Sequence, residues 1–149
     1  MKQAAKIIGT LALVAVAFAA KAETPEVAKS LLDAAVAEIK AKGSDDAMKE
    51  FNGGGKWRTG TMYVVVADFK GNMLAHSAND KFIGKNVFEA KDASGRLFVQ
   101  EVIKGVQASG QAHVDLRWTN PTTKKIDDGQ MFAKRVPGQD MYVGTVVFK

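Results

Sequence analysis

The chain has 149 residues, a formal net charge of +5 and no cysteine. Without a thiol, cysteine nucleophiles, cysteine zinc sites, iron–sulfur clusters, c-type haem attachment and disulfide staples are excluded. The charges are interspersed rather than blocked, which describes a solvated surface and not a nucleic-acid footprint.

Met1-Lys2-Gln3-Ala4-Ala5-Lys6 is a short basic start, and Ile7 to Ala20 is almost wholly apolar. Ala20-Lys21-Ala22 then places small residues at the two positions a signal peptidase reads. The apolar run is about 14 residues, short of the roughly 18–20 that span a bilayer as a stable helix. Segment length and cleavage site both disfavour an uncleaved membrane anchor. Residues 1–22 are therefore predicted to be a secretory signal peptide and residues 23–149 a single domain, with a bacterial periplasm as destination. Lys2, Lys6 and Lys21 leave with the leader and no acid does, so the balance falls from +5 to +2 over the remaining 127 residues. A domain of that size buries roughly two-thirds of its unfolded surface and needs no covalent staple.

Thr24-Pro25-Glu26 opens a helix, with Thr as N-cap, Pro at the first helical position and Glu near the positive dipole end. Ala28, Leu31, Leu32, Ala35 and Ile39 make its apolar stripe, and Gly43 is its expected stop. Ser44 is predicted to cap a shorter helix over about Asp45 to Phe51. Asn52-Gly53-Gly54-Gly55 reads as a loop joining helices to sheet, with Trp57-Arg58 beside it as a candidate lid. From Thr61 the pattern turns to strands. Met62 to Phe69 is apolar on both faces, as in a strand covered on both sides. Lys70-Gly71-Asn72 is a turn and Met73 to His76 a return strand. Phe82 to Lys91 is mixed loop, and a helix follows over about Arg96 to Ala108. In Gln111–Trp118, Ala112, Val114, Leu116 and Trp118 alternate with Gln111, His113, Asp115 and Arg117, the pattern of a half-buried strand. Gln130–Val136 and Met141–Lys149 complete an antiparallel meander around Pro137-Gly138. Helices before and within a five-stranded antiparallel sheet describe an α+β domain of PAS-like shape, its long N-terminal helix packed on one face.

Several stretches carry a family resemblance: Tyr63, Asp68-Phe69-Lys70-Gly71-Asn72, His76 and Ile83-Gly84-Lys85-Asn86, then Asp92-Ala93-Ser94-Gly95-Arg96-Leu97-Phe98-Val99. Val114-Asp115, Trp118-Thr119-Asn120-Pro121, Lys134-Arg135-Val136-Pro137-Gly138 and Val143-Gly144-Thr145 continue it. In order and spacing these resemble the single Cache sensor domain, second subtype, over nearly all of residues 23–149. The resemblance implies an extracytoplasmic domain holding a small ligand, often a short carboxylate, on the sheet side away from the long helix. The chain departs from the family pattern at Leu116, where an aromatic is usual, and at Gly129, which takes the place of a lysine. Met131-Phe132 replaces a serine–tyrosine pair, Met141 an aromatic and Val146 a glycine. These exchanges predict a more apolar pocket, or one that has lost its ligand.

Five residues are candidate ligand contacts. The His76 imidazole suits a carboxylate partner and titration near neutral pH, or else is satisfied by backbone at a strand end. Lys134, on the fourth strand, is aimed at the pocket or is a solvated edge lysine. Tyr63 and Trp118 have apolar bodies with one polar handle and suit a pocket wall as well as a core. Phe132 is the aromatic of the exchanged pair. Lys85 could reach an anion from its loop. No acid sits at metal-ligand spacing beside His76 or His113, and no nucleophile motif accompanies Asp68, Asp115 and His76, so neither a metal, a cofactor nor an enzyme is implied.

The expected function is a periplasmic sensor-type module that binds a small organic acid or similar metabolite. Because the chain ends at Lys149, a separate membrane receptor or kinase is the expected partner. The alternative is a structural or protein-interaction module that kept the Cache fold without ligand binding.

Overall fold

The computed structural model describes residues 23–149, and the predicted signal peptide lies outside the described residues. Helix α1 (Pro25–Lys42) starts as expected: the Thr24 hydroxyl accepts the Val27 N–H at 3.3 Å, and Gly43 returns its own N–H to the Ile39 carbonyl at 2.9 Å. Ala28, Leu32, Ala35, Val36 and Ile39 are its buried stripe. Helix α2 (Ser44–Asn52) departs from the prediction at its start. Gly43 occupies the cap, and Ser44 is the first helical residue, its hydroxyl donating to Gln139 Oε1 at 2.9 Å. The chain turns directly from one helix into the next, leaving no residue between them for a side-chain cap.

The glycine-rich loop leads into one turn of 3-10 helix (Gly55–Trp57) and a two-stranded ribbon, β1 (Arg58–Thr59) with β2 (Met62–Tyr63). Trp57 is not a lid. Its ring is buried edge-on against Phe51, with centroids 4.7 Å apart. Strands β3 (Val65–Asp68) and β4 (Met73–His76) follow. Their turn is tied by Asp68, whose Oδ1 accepts the Lys70 and Asn72 N–H groups at 2.9 Å. Gly71 there has φ +86°, and a Cβ on it would lie 2.6 Å from Phe88 Cβ, so only glycine fits.

Helix α3 (Phe98–Ser109) and strands β5 (Gln111–Thr119), β6 (Ile126–Arg135) and β7 (Met141–Phe148) complete the fold. Strand β6 begins earlier than predicted because Asp127 and Asp128, poor strand formers alone, pair with Trp118 and Arg117. The five-stranded antiparallel sheet runs β4-β3-β7-β6-β5. Each face has its own core. Helices α1 and α2 cover Val64, Val66, Val143 and Phe132 on one side. Helix α3 and the segment 77–97 cover Tyr63, Val65, Leu116, Met131 and Tyr142 on the other.

Candidate functional site: a chamber under the third helix

On the α3 face the sheet does not close fully on its cover. A cavity of about 70 Å³ remains, walled by Val65, Met73, Val99, Leu116, Met131 and Val146, with Tyr63, His76, Phe82, Trp118 and Tyr142 among its other walls. It lies on the face away from α1, where the resemblance puts the ligand. Among the described residues, no Asp, Glu, Lys or Arg lines it.

Its polar groups are positioned by the break between β2 and β3. Ser77, buried, accepts the Val64 N–H at 2.8 Å and donates to the Trp57 carbonyl at 2.8 Å, stitching the end of β4 to Tyr63-Val64. Asn52 Oδ1 accepts the His76 N–H at 3.0 Å, tying the same strand end to α2. His76 is thereby held between two rings: Tyr63 at 4.9 Å and Phe82 at 5.1 Å, with interplanar angles of 16° and 15°. Its Nδ1 accepts two backbone N–H groups, from Ala78 at 3.2 Å and Asn79 at 3.0 Å. A ring nitrogen that accepts cannot carry the proton, so the tautomer is neutral with Nε2–H as its one donor.

This corrects the expectation of titration near neutral pH. Burial pushes the His76 pKa down to about 4, and the two N–H groups facing Nδ1 oppose a second ring proton. Burial likewise pushes both phenols, Tyr63 and Tyr142, well above the usual tyrosine range, with Asp68 adding to the effect at Tyr142. The chamber thus offers neutral donors and no fixed charge.

Of the five candidate residues, the structure brings Tyr63, His76 and Trp118 together around the chamber and leaves two elsewhere. Phe132 and Lys134 project from β6 toward α1. Phe132 belongs to the core beneath that helix, and Lys134 forms an ion pair with Asp33 of α1. Alternation along a strand explains both placements: Met131 and Ala133 take the chamber face, so their neighbours cannot. Sequence reasoning missed Tyr142 and Phe82. Tyr142 lies on β7, which is buried on both faces, and Phe82 in a single 3-10 turn (Asp80–Phe82), so neither had a local period to announce it.

The sequence profile of the single Cache domain 2 family matches residues 2–148. The chain belongs to that family. Cache domains of this type are extracytoplasmic sensor domains, and the solved structures agree in fold. A methyl-accepting chemotaxis protein from Vibrio parahaemolyticus superposes with a TM-score of 0.72 at 19% identity, over 83% of this chain and 86% of that one. A Cache chemosensory domain described for carboxylic acid recognition gives 0.65 at 20%, over 83% and 86%. The periplasmic sensor domain of a chemotaxis protein gives 0.64 at 23%, over 83% and 88%. At these identities the likeness is one of fold. No curated protein matches this Cache chain in sequence. Among the described residues, no helix is long and apolar enough to cross a membrane.

Proposed function

We propose that this chain is a periplasmic sensor-type module that captures a small organic acid or similar metabolite in the chamber under α3 and passes the bound state to a membrane partner. The observation that carries this reading is the chamber itself: an apolar hollow with the Tyr63–His76–Phe82 stack in its wall, on the face opposite the long helix. Family membership supports it, as does the chemistry of the wall, since ligand sites combine apolar surface with a few oriented polar groups. About 70 Å³ is several times what one water needs, so the space suits a ligand of a few heavy atoms. Binding shifts a conformational equilibrium only if the two states differ in affinity. Segment 77–97, which carries Phe82 and Val87 over the chamber, is where such a difference would be made. Nothing in this wall supplies a nucleophile with a base, so the reading is of binding and not of catalysis.

A thermal-shift screen of small carboxylates and neutral metabolites tests it. A ligand that binds only the native state must raise the melting temperature, and an empty screen would count against the proposal.

One observation favours the second reading, an interaction module without ligand. Leu116, Met131 and Val146, all departures from the family pattern, stand together in the chamber wall, and Met131 for serine and Val146 for glycine each add bulk there. An empty screen together with a single periplasmic partner recovered by pull-down would support that reading instead.

A further inference from the structure

The chamber has an outer room. A vestibule of about 230 Å³ lies against it and shares Tyr63, His76, Phe82 and Trp118 as common walls. Of the nine residues lining the vestibule, Lys124 is the only one with a full charge. Its ammonium makes no ion pair among the described residues.

Lys124 is held there by an organised hairpin loop between β5 and β6. Asn120, buried, donates its N–H to the Lys125 carbonyl at 2.8 Å and accepts the Lys124 N–H at 2.9 Å. Its side-chain oxygen accepts the Thr122 N–H at 2.9 Å. The nearest acid, Asp127 at the start of β6, accepts from Asn120 Nδ2 at 3.0 Å and Thr123 Oγ1 at 3.3 Å. Lys124 itself has φ +61°, the one non-glycine residue with positive φ among those described. Glycine or asparagine would meet that backbone at lower cost. A lysine occupies a strained position beside the vestibule, and strain of this kind clusters at ligand sites.

Resting on the ligand-binding reading above, we infer that the two rooms form one site for an amphiphilic anion, with its acidic head at Lys124 and its apolar tail in the chamber. Placing the acid head inside would bury a charge beside neutral donors, with no cation to pair it. Lys134, the cation expected from the sequence, is on the other face of the sheet and already paired with Asp33. The aromatic walls shared by the two rooms then enclose the middle of the ligand.

Calorimetric titration of the purified protein with straight-chain carboxylates from acetate to hexanoate, and with butanamide as the neutral partner of butanoate, tests the orientation. Affinity is expected to rise about fourfold per added methylene until the chamber is full. Lys124→Gln is expected to weaken butanoate about three- to fivefold and leave butanamide unchanged, as for loss of one partly exposed ion pair. Lys124→Arg should retain butanoate affinity, and Lys134→Gln should change neither ligand. Equal weakening of acid and amide by Lys124→Gln would reduce Lys124 to a structural role and overturn the proposal. So would butanoate binding unaffected by that substitution, or acetate binding more tightly than butanoate. Those results leave the ligand-binding reading standing. Failure of every acid and of the amide to bind the unaltered protein would overturn both.

Discussion

Replacing His76 by Asn separates the imidazole's titration from its hydrogen bonds. An Asn side chain can present its oxygen to the Ala78 and Asn79 N–H groups, as His76 Nδ1 does at 3.2 and 3.0 Å. It loses the stack between Tyr63 and Phe82, a cost that does not depend on pH. The pH-dependent part comes from the folded-state pKa of about 4 against an ordinary histidine value of 6.5, a depression that burial causes. Between those values the unfolded chain binds the proton and the folded one does not, so stability rises with pH. The contribution is complete above the unfolded pKa and is lost as pH falls toward the folded one. A gap of that size corresponds to about 3 kcal/mol. Urea unfolding of both proteins between about pH 7 and about pH 4.5 should show the wild-type advantage shrinking by about 2–3 kcal/mol. Measuring the difference between the two proteins cancels the carboxylates that titrate in the same range. A constant difference across that range would refute the assignment of a neutral, backbone-fixed His76, as would an imidazole resonance titrating near its ordinary pKa.

Thr145 is fully buried in β7 and, among the described residues, its hydroxyl has no hydrogen-bond partner, so Thr145→Val is expected to stabilise the fold by about 1 kcal/mol in urea unfolding. Leu116→Ala should enlarge the chamber and cost about 2–4 kcal/mol by the same assay, the larger values applying if the wall does not relax. Asp92 fastens the turn before α3 to β5: burial raises its pKa, but hydrogen bonds from Ser94, from the Arg117 and Arg96 N–H groups and from the Ser94 N–H outweigh this and hold it at about 2. Asp92→Ala should therefore cost about 2–3 kcal/mol at neutral pH. The wild type should lose that margin as pH falls from 3.8 toward 2, which unfolding at several acid pH values can check.

The elements were readable where one residue class recurs at one period. The stripe of α1 and the alternation of β5 each name their buried face, and both faces are as predicted. Strand β6 was not readable in this way. Met131, Phe132 and Ala133 are all buried, so alternation alone does not say which of them meets the chamber. What decides is the register of β6 between β5 and β7, which sets Met131 beside Val114 and Val146, and no local pattern announces it. The choice between the two readings of His76 was hidden for a similar reason. A strand-end histidine suggests a titrating group, whereas the neutral ring depends on two backbone N–H groups beyond the strand and on Phe82 from a loop. Lys124 carried no signal at all, because its interest lies in a backbone angle and in the vestibule beside it.

Whether the chamber under α3 is a ligand site is decided by a crystal structure of protein purified without denaturation or ligand exchange. Electron density for a small molecule is expected there, bounded by Tyr63, His76 and Leu116 and reaching toward Lys124. A chamber closed by Leu116 and Met131, or holding only water, in protein that no compound stabilises, would contradict it.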